Sequence, residues 1–89
     1  MKTDSISIEE ESVLNLIAIR SKMDCWFDIT FDKHNNQCIY DREEKRFLSL
    51  KDGISLLYQG ITDLDDYYLS ESQKETFNNL LRRLSIWKN

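Results

Sequence analysis

Cys25-Trp26-Phe27-Asp28-Ile29-Thr30-Phe31 alternates in character, and its reading decides the fold. In an extended chain Cys25, Phe27, Ile29 and Phe31 share one face, while Asp24, Trp26, Asp28, Thr30 and Asp32 share the other. A period of two marks a half-buried strand. The strand is expected over residues 24–32. Its first face supplies core, and its second sets a tryptophan among aspartates.

Downstream, Asn35-Asn36 suits the centre of a hairpin, because asparagine tolerates the positive φ of a tight turn. A turn centred there pairs Phe31 with Tyr40 and Lys33 with Cys38, so the apolar residues of both strands fall on one face. In that register Cys25 lies about 26 Å along the ladder from the partner of Cys38. A disulfide needs Cα atoms within ~7 Å. Two free, core-facing thiols are expected, with no metal site shared between them. The charged turn Asp41-Arg42-Glu43-Glu44 leads to a short third strand at 45–48.

Helical signals flank this meander. Ser7 and Glu10 form a capping box ahead of a helix at 8–22, and residues 1–6 are expected to fray. Val13, Leu14, Leu16, Ile17, Ala18 and Ile19 make the middle of that helix apolar nearly all round, which calls for cover on more than one side. Ser49, with Asp52 as box partner, opens a second helix whose buried stripe is Leu50, Ile54, Leu57 and Tyr58. Gly60 closes it as a left-handed cap. Gly53 inside this helix costs about 1 kcal/mol relative to alanine, and close packing on the sheet would account for it. Thr62 and Asp65 cap a single helical turn. Ser70 and Gln73 open a last helix at 71–87, with the stripe Phe77, Leu80, Leu81, Leu84 and Trp87. Glu71 and Glu75 lie near its start and Arg82, Arg83 and Lys88 near its end, as the helix dipole prefers.

The order is therefore α-β-β-β-α-α. One compact domain spanning 1–89 is expected, of α+β class, with a three-stranded antiparallel β-meander packed with helices. The layout resembles that of double-stranded-RNA-binding domains, but the charge does not suit that function.

The net charge is −4 and uneven. Residues 1–44 hold ten acidic and five basic side chains, and residues 45–89 hold six and seven. Phosphate neutralisation needs clustered lysine and arginine, so a basic partner suits this chain better than nucleic acid does. Catalytic signals are sparse. His34 is the one histidine, placed at a hairpin tip, and Gly53 and Gly60 form no phosphate loop. Asp63-Leu64-Asp65-Asp66 lacks the glycine and closing glutamate of a calcium loop. No enzyme activity, cofactor or metal is expected. No apolar run approaches the ~20 residues of a membrane span, and Met1–Ser5 has no signal-peptide core, so a cytoplasmic protein is expected.

The acidic and aromatic stretches remain as candidate partner-binding residues: Asp24, Trp26, Asp28 and Asp32 on the strand, and Asp63, Asp65, Asp66, Tyr67 and Tyr68 further on. Trp26 reads equally as core under a second helical layer. Asp28 and Asp32 stand about 13 Å apart along a strand, a spacing comparable to phosphates two steps apart on a nucleic-acid strand. The expected function is that of a small stoichiometric inhibitor occupying the basic, nucleic-acid-binding surface of another protein, such as a nucleic-acid enzyme. Phage-encoded anti-CRISPR proteins and toxin-neutralising immunity proteins are similar in size and charge. A self-associating structural or adaptor module, as a homodimer, is the alternative. Direct nucleic-acid binding through Lys45, Arg46, Arg82, Arg83 and Lys88 comes third.

Overall fold

Serine caps start all three α-helices of the computed structural model, which describes residues 5–87. Helix α1 (Ile8–Arg20) begins where the Ser7 hydroxyl accepts from the Glu10 N–H at 3.1 Å and the Glu10 carboxylate accepts from the Ser7 N–H at 2.8 Å. Helix α3 (Glu71–Arg83) begins on the same reciprocal pair between Ser70 and Gln73. Helix α2 (Leu50–Gly60) is capped by the Ser49 hydroxyl, which accepts from Asp52 N–H, one half of the expected box.

The helix ends differ from expectation. Gly60 is the last residue of α2, and Ile61 follows it in extended conformation. No described glycine has positive φ. The left-handed caps belong instead to Lys22 (φ 63°) and Ser85 (φ 56°). After α1, Met23 N–H returns to Ala18 C=O and Lys22 N–H to Ile19 C=O. After α3, Ile86 N–H returns to Leu81 C=O and Ser85 N–H to Arg82 C=O. Both are Schellman arrangements, in which the residue after the left-handed cap folds back onto the helix. The second one buries Ile86 and leaves Trp87 exposed outside the helix, although Trp87 continues the apolar spacing of α3. Lys88 and residues 1–4 lie outside the described residues.

The sheet is antiparallel in the order β1-β2-β3, from strands β1 (Phe27–Phe31), β2 (Gln37–Asp41) and β3 (Arg46–Leu48). With the helices it gives the expected α+β architecture in the expected order. Strand β1 is shorter than 24–32. Residues 24–26 form a turn in which Met23 C=O accepts from both Trp26 and Phe27 N–H. Cys25 therefore sits exposed on that turn, and only Cys38 is buried; both thiols are free.

The hairpin register also differs. Asp32 pairs with Asn36 across Lys33, His34 and Asn35, and Asn35 alone takes positive φ, at 65°. The Asp32 carboxylate accepts from the His34 and Asn36 N–H groups at 2.8 and 2.9 Å and so folds the longer loop. The Asn36 N–H holds this carboxyl below its ordinary pKa against partial desolvation, with help from the His34 N–H and charge. Ile29 consequently faces Ile39, and Thr30 faces Cys38. Relative to the Asn35-Asn36 turn every partner moves by three, an odd number, so β2 turns over. Ile39 points into the core, while Cys38 and Tyr40 join Asp28, Thr30 and Phe47 on the outer face.

Helix α2 lies on the inner face. A Cβ at Gly53 would fall 2.3 Å from Ile39 Cγ1, which explains the glycine inside a helix. Ile39, Ile54 and Leu57 are fully buried there, and Leu14, Ile17, Phe77 and Leu80 are fully buried with them. The α1 helix buries one face only, and Ile8 and Ile19 are exposed. The expected frayed segment is held at its far end. Ile6 is buried with its N–H on Gln37 Oε1 at 2.8 Å, and Ser5 C=O accepts from Arg83. Arg83 Nη2 also donates to both Glu10 oxygens, at 2.7 and 2.8 Å, tying α3 to α1.

Two outcomes follow for stability. Gly53→Ala should lower the urea midpoint by the equivalent of about 1–3 kcal/mol through overpacking against Ile39, although helix propensity alone would raise it. Burial pushes the Glu10 carboxyl up, but the Arg83 and Ser7 hydrogen bonds outweigh it and the net shift is downward. A carboxyl lowered on folding stabilises above its unfolded pKa and loses that contribution as pH falls through the folded value. Glu10→Gln should cost about 1 kcal/mol at neutral pH. Urea titrations of the two proteins should converge as the pH falls through and below the carboxylate range.

Candidate functional site

The expected candidate residues fall in two places. Around the 24–26 turn the organiser is Arg42, paired across the sheet end through its N–H on Trp26 C=O at 2.9 Å. Its guanidinium donates to the carbonyls of Asp24 and Cys25 and lies 3.6 Å from Asp28 Oδ2. Asp24 stands outside the strand, Asp28 is ion-paired, and Asp32 closes the hairpin loop at the other end of β1. The three aspartates do not form one strand face, because the strand begins at Phe27 and its two ends enter turns. Trp26 is half-buried against the core and packs edge-on against Phe27, with ring centroids 5.5 Å apart. It walls a shallow cavity of about 270 Å³ together with Met23, Leu56, Glu43, Glu44 and Arg46.

The second place is a 3₁₀ turn, Leu64–Tyr67. Asp63, rather than Thr62, caps it by accepting from Asp65 N–H at 3.0 Å, and Thr62 Oγ1 donates to Asp66 Oδ2 at 3.1 Å. Asp65 forms a 2.6 Å ion pair with Lys74, which also lies 3.6 Å from Glu71. The Asp65 hydrogen bond, above all, raises the Lys74 pKa against partial desolvation. Tyr67 packs half-buried on the core and Leu69 is buried. Tyr68 lies between these two inward side chains and points outward.

Tyr68 is 86% exposed with a left-handed backbone, φ 55° and ψ 43°. For a residue with a Cβ that conformation costs about 1 kcal/mol or more. Arg20, at the end of α1, holds it there, since Nη1 donates to the Tyr67 and Tyr68 carbonyls at 2.8 and 2.9 Å. The result is an aromatic side chain displayed at the end of the turn that carries Asp63, Asp65 and Asp66, three residues before Glu71. Arg20 and Lys74, the cations bonded into this turn, are engaged internally.

Partial desolvation, followed by the adjacent Glu43 carboxylate, pushes the Cys25 thiol up; burial, then the charges of Asp32 and Asp28, does the same for Cys38. Raised thiols stay protonated at neutral pH and are poor nucleophiles. His34 is exposed on the hairpin loop. Among the described residues no three His, Cys, Asp or Glu side chains converge as metal ligands, and no helix is long and apolar enough to cross a membrane.

Arg20 and Arg42 organise the two places, yet no sequence spacing marks them. Arg20 reads as ordinary dipole compensation, and its carbonyl partners lie 47 and 48 residues away. No family model, curated protein or solved structure matches the chain.

If Tyr68 is kept for display rather than stability, Tyr68→Gly should raise the thermal midpoint. The gain expected from relieving the left-handed strain is up to about 1 kcal/mol. Arg20→Met should lower the midpoint by about 1–2 kcal/mol and shift the amide resonances of residues 64–69 most.

Proposed function

We propose that this protein is a small, non-catalytic binding protein that acts stoichiometrically on a partner with a basic surface. A nucleic-acid-binding surface of another protein fits best, and occupying it inhibits that partner. The observation that carries this reading is Tyr68, an exposed tyrosine held by Arg20 in a costly backbone conformation within an acidic turn. The left-handed residues Lys22 and Ser85 let the next side chain fold inward, and Tyr68 does the same for Leu69; what sets Tyr68 apart is that a large aromatic ring is left exposed there.

In this mechanism the carboxylates of Asp66 and Glu71 steer a basic surface into register, while Asp63 caps the turn that carries Tyr68. The Tyr68 ring then stacks on an arginine or fills a pocket, as tyrosine does at interface centres. Asp24 and Trp26, at the sheet end, supply a second acidic and aromatic element for a partner broad enough to reach it. Asp28 and Asp32 take a smaller part, because one is paired with Arg42 and the other holds the hairpin loop.

A tagged pull-down from the native host lysate, with and without nuclease, tests the reading. A basic protein should be captured in both arms. Tyr68→Ala should weaken its binding at least about tenfold, the effect of a modest interface anchor. The Asp66→Lys/Glu71→Lys variant should weaken it further and flatten its salt dependence. Capture that these variants leave unchanged, or that nuclease abolishes, would overturn the proposal.

A further inference from the structure

Strand β1 is an edge of the sheet, and its backbone phase shows which groups are left open. The bonds flanking the hairpin ladder run from Arg42 N–H to Trp26 C=O and from Asp32 N–H to Asn36 C=O, both 2.9 Å. In an antiparallel ladder, hydrogen-bonded and non-bonded pairs alternate. Residues 26, 28, 30 and 32 therefore turn their backbone groups toward β2. Ile29 and Phe31 turn theirs outward, as does the Phe27 carbonyl, while Phe27 N–H is taken by Met23 C=O at 3.0 Å.

Natural edges are usually blunted by lysine, proline, a bulge or a covering segment. Phe27-Asp28-Ile29-Thr30-Phe31 contains neither lysine nor proline, and its single charge is drawn sideways to Arg42. The stretch is also nearly symmetric about Ile29. Antiparallel pairing with itself places Ile29 opposite Ile29, Phe27 opposite Phe31 and Asp28 opposite Thr30. No like charges oppose one another, and Phe31, 56% exposed, is covered by the partner strand. Ile29 then stands at a hydrogen-bonded pair, so its open N–H and C=O groups match those of its symmetry mate.

We propose that β1 is a dimerisation edge: a second copy of this chain pairs antiparallel with it about a two-fold axis at Ile29, giving a continuous six-stranded sheet. Such an isologous contact closes on itself. It leaves the Tyr68 turn outside the paired strands, so dimerisation and partner capture can fail separately.

Sedimentation equilibrium from low to high micromolar concentration, with amide hydrogen exchange by NMR, tests the proposal. The expected result is a monomer–dimer equilibrium in which the Ile29 and Phe31 amides gain about tenfold protection with concentration. The Asp28 and Thr30 amides, bonded to β2 in either state, should not change. Thr30→Asp puts two carboxylates opposite each other twice per dimer and should weaken dimerisation about tenfold, while Thr30→Lys should strengthen it. Thermal melts confirm that both variants fold. A monomer throughout, or a dimer whose Ile29 and Phe31 amides exchange freely or whose strength ignores the charge at residue 30, would overturn the proposal.

Discussion

Helix α2 reaches the sheet at the place where it carries no Cβ. Gly53 lies directly over Ile39, and even a methyl group there would sit inside the Ile39 side chain. Interiors are close-packed, so this contact fixes the height of the helix above β2 and the space left for Ile54 and Leu57. The contact exists because Ile39 points inward. That orientation depends on the loop through Lys33, His34 and Asn35, which the Asp32 carboxylate folds by accepting two backbone N–H groups. A surface carboxylate thus decides which face of β2 becomes core.

A chain of 89 residues has a limited core, and arginines supplement it. Arg83 joins α3 to Glu10 and to Ser5 C=O; Arg20 joins α1 to the carbonyls of Tyr67 and Tyr68; Arg42 joins the sheet end to the turn before β1. Each ties a backbone segment that lacks regular secondary-structure partners. A guanidinium suits this task because its donors are fixed in one plane and reach more than one acceptor.

The acidic residues divide by what they already do. Asp32, Asp41 and Asp63 are consumed in capping turns: Asp41, buried at 6% exposure, accepts from Glu43 and Glu44 N–H. Glu10, Asp28 and Asp65 are ion-paired, and Glu71, itself highly exposed, lies 3.6 Å from Lys74. Net charge therefore overstates what a partner would meet, and the placement of the remaining carboxylates matters more. Tyr68 gives that placement a centre at the 3₁₀ turn.

Much of the architecture was legible locally. Helix starts, the order of elements, the buried stripes of α2 and α3 and the close approach at Gly53 follow from serine caps, apolar spacing and a glycine out of place. These are short-range effects written within a few residues of where they act. Register, helix ends and site assembly were not legible. The choice between a two-residue and a three-residue hairpin loop turned on whether Asp32 would bond its own loop. Lys22 and Ser85 took left-handed caps that glycine usually occupies, because Met23 and Ile86 could then fold inward. Tyr68 was a candidate by composition, but its exposure and strain depend on Arg20, 48 residues away. Sequence determined the elements because their signals are local. Tertiary structure decided which faces meet and which side chains stand free, because those outcomes depend on contacts between segments that no local spacing encodes.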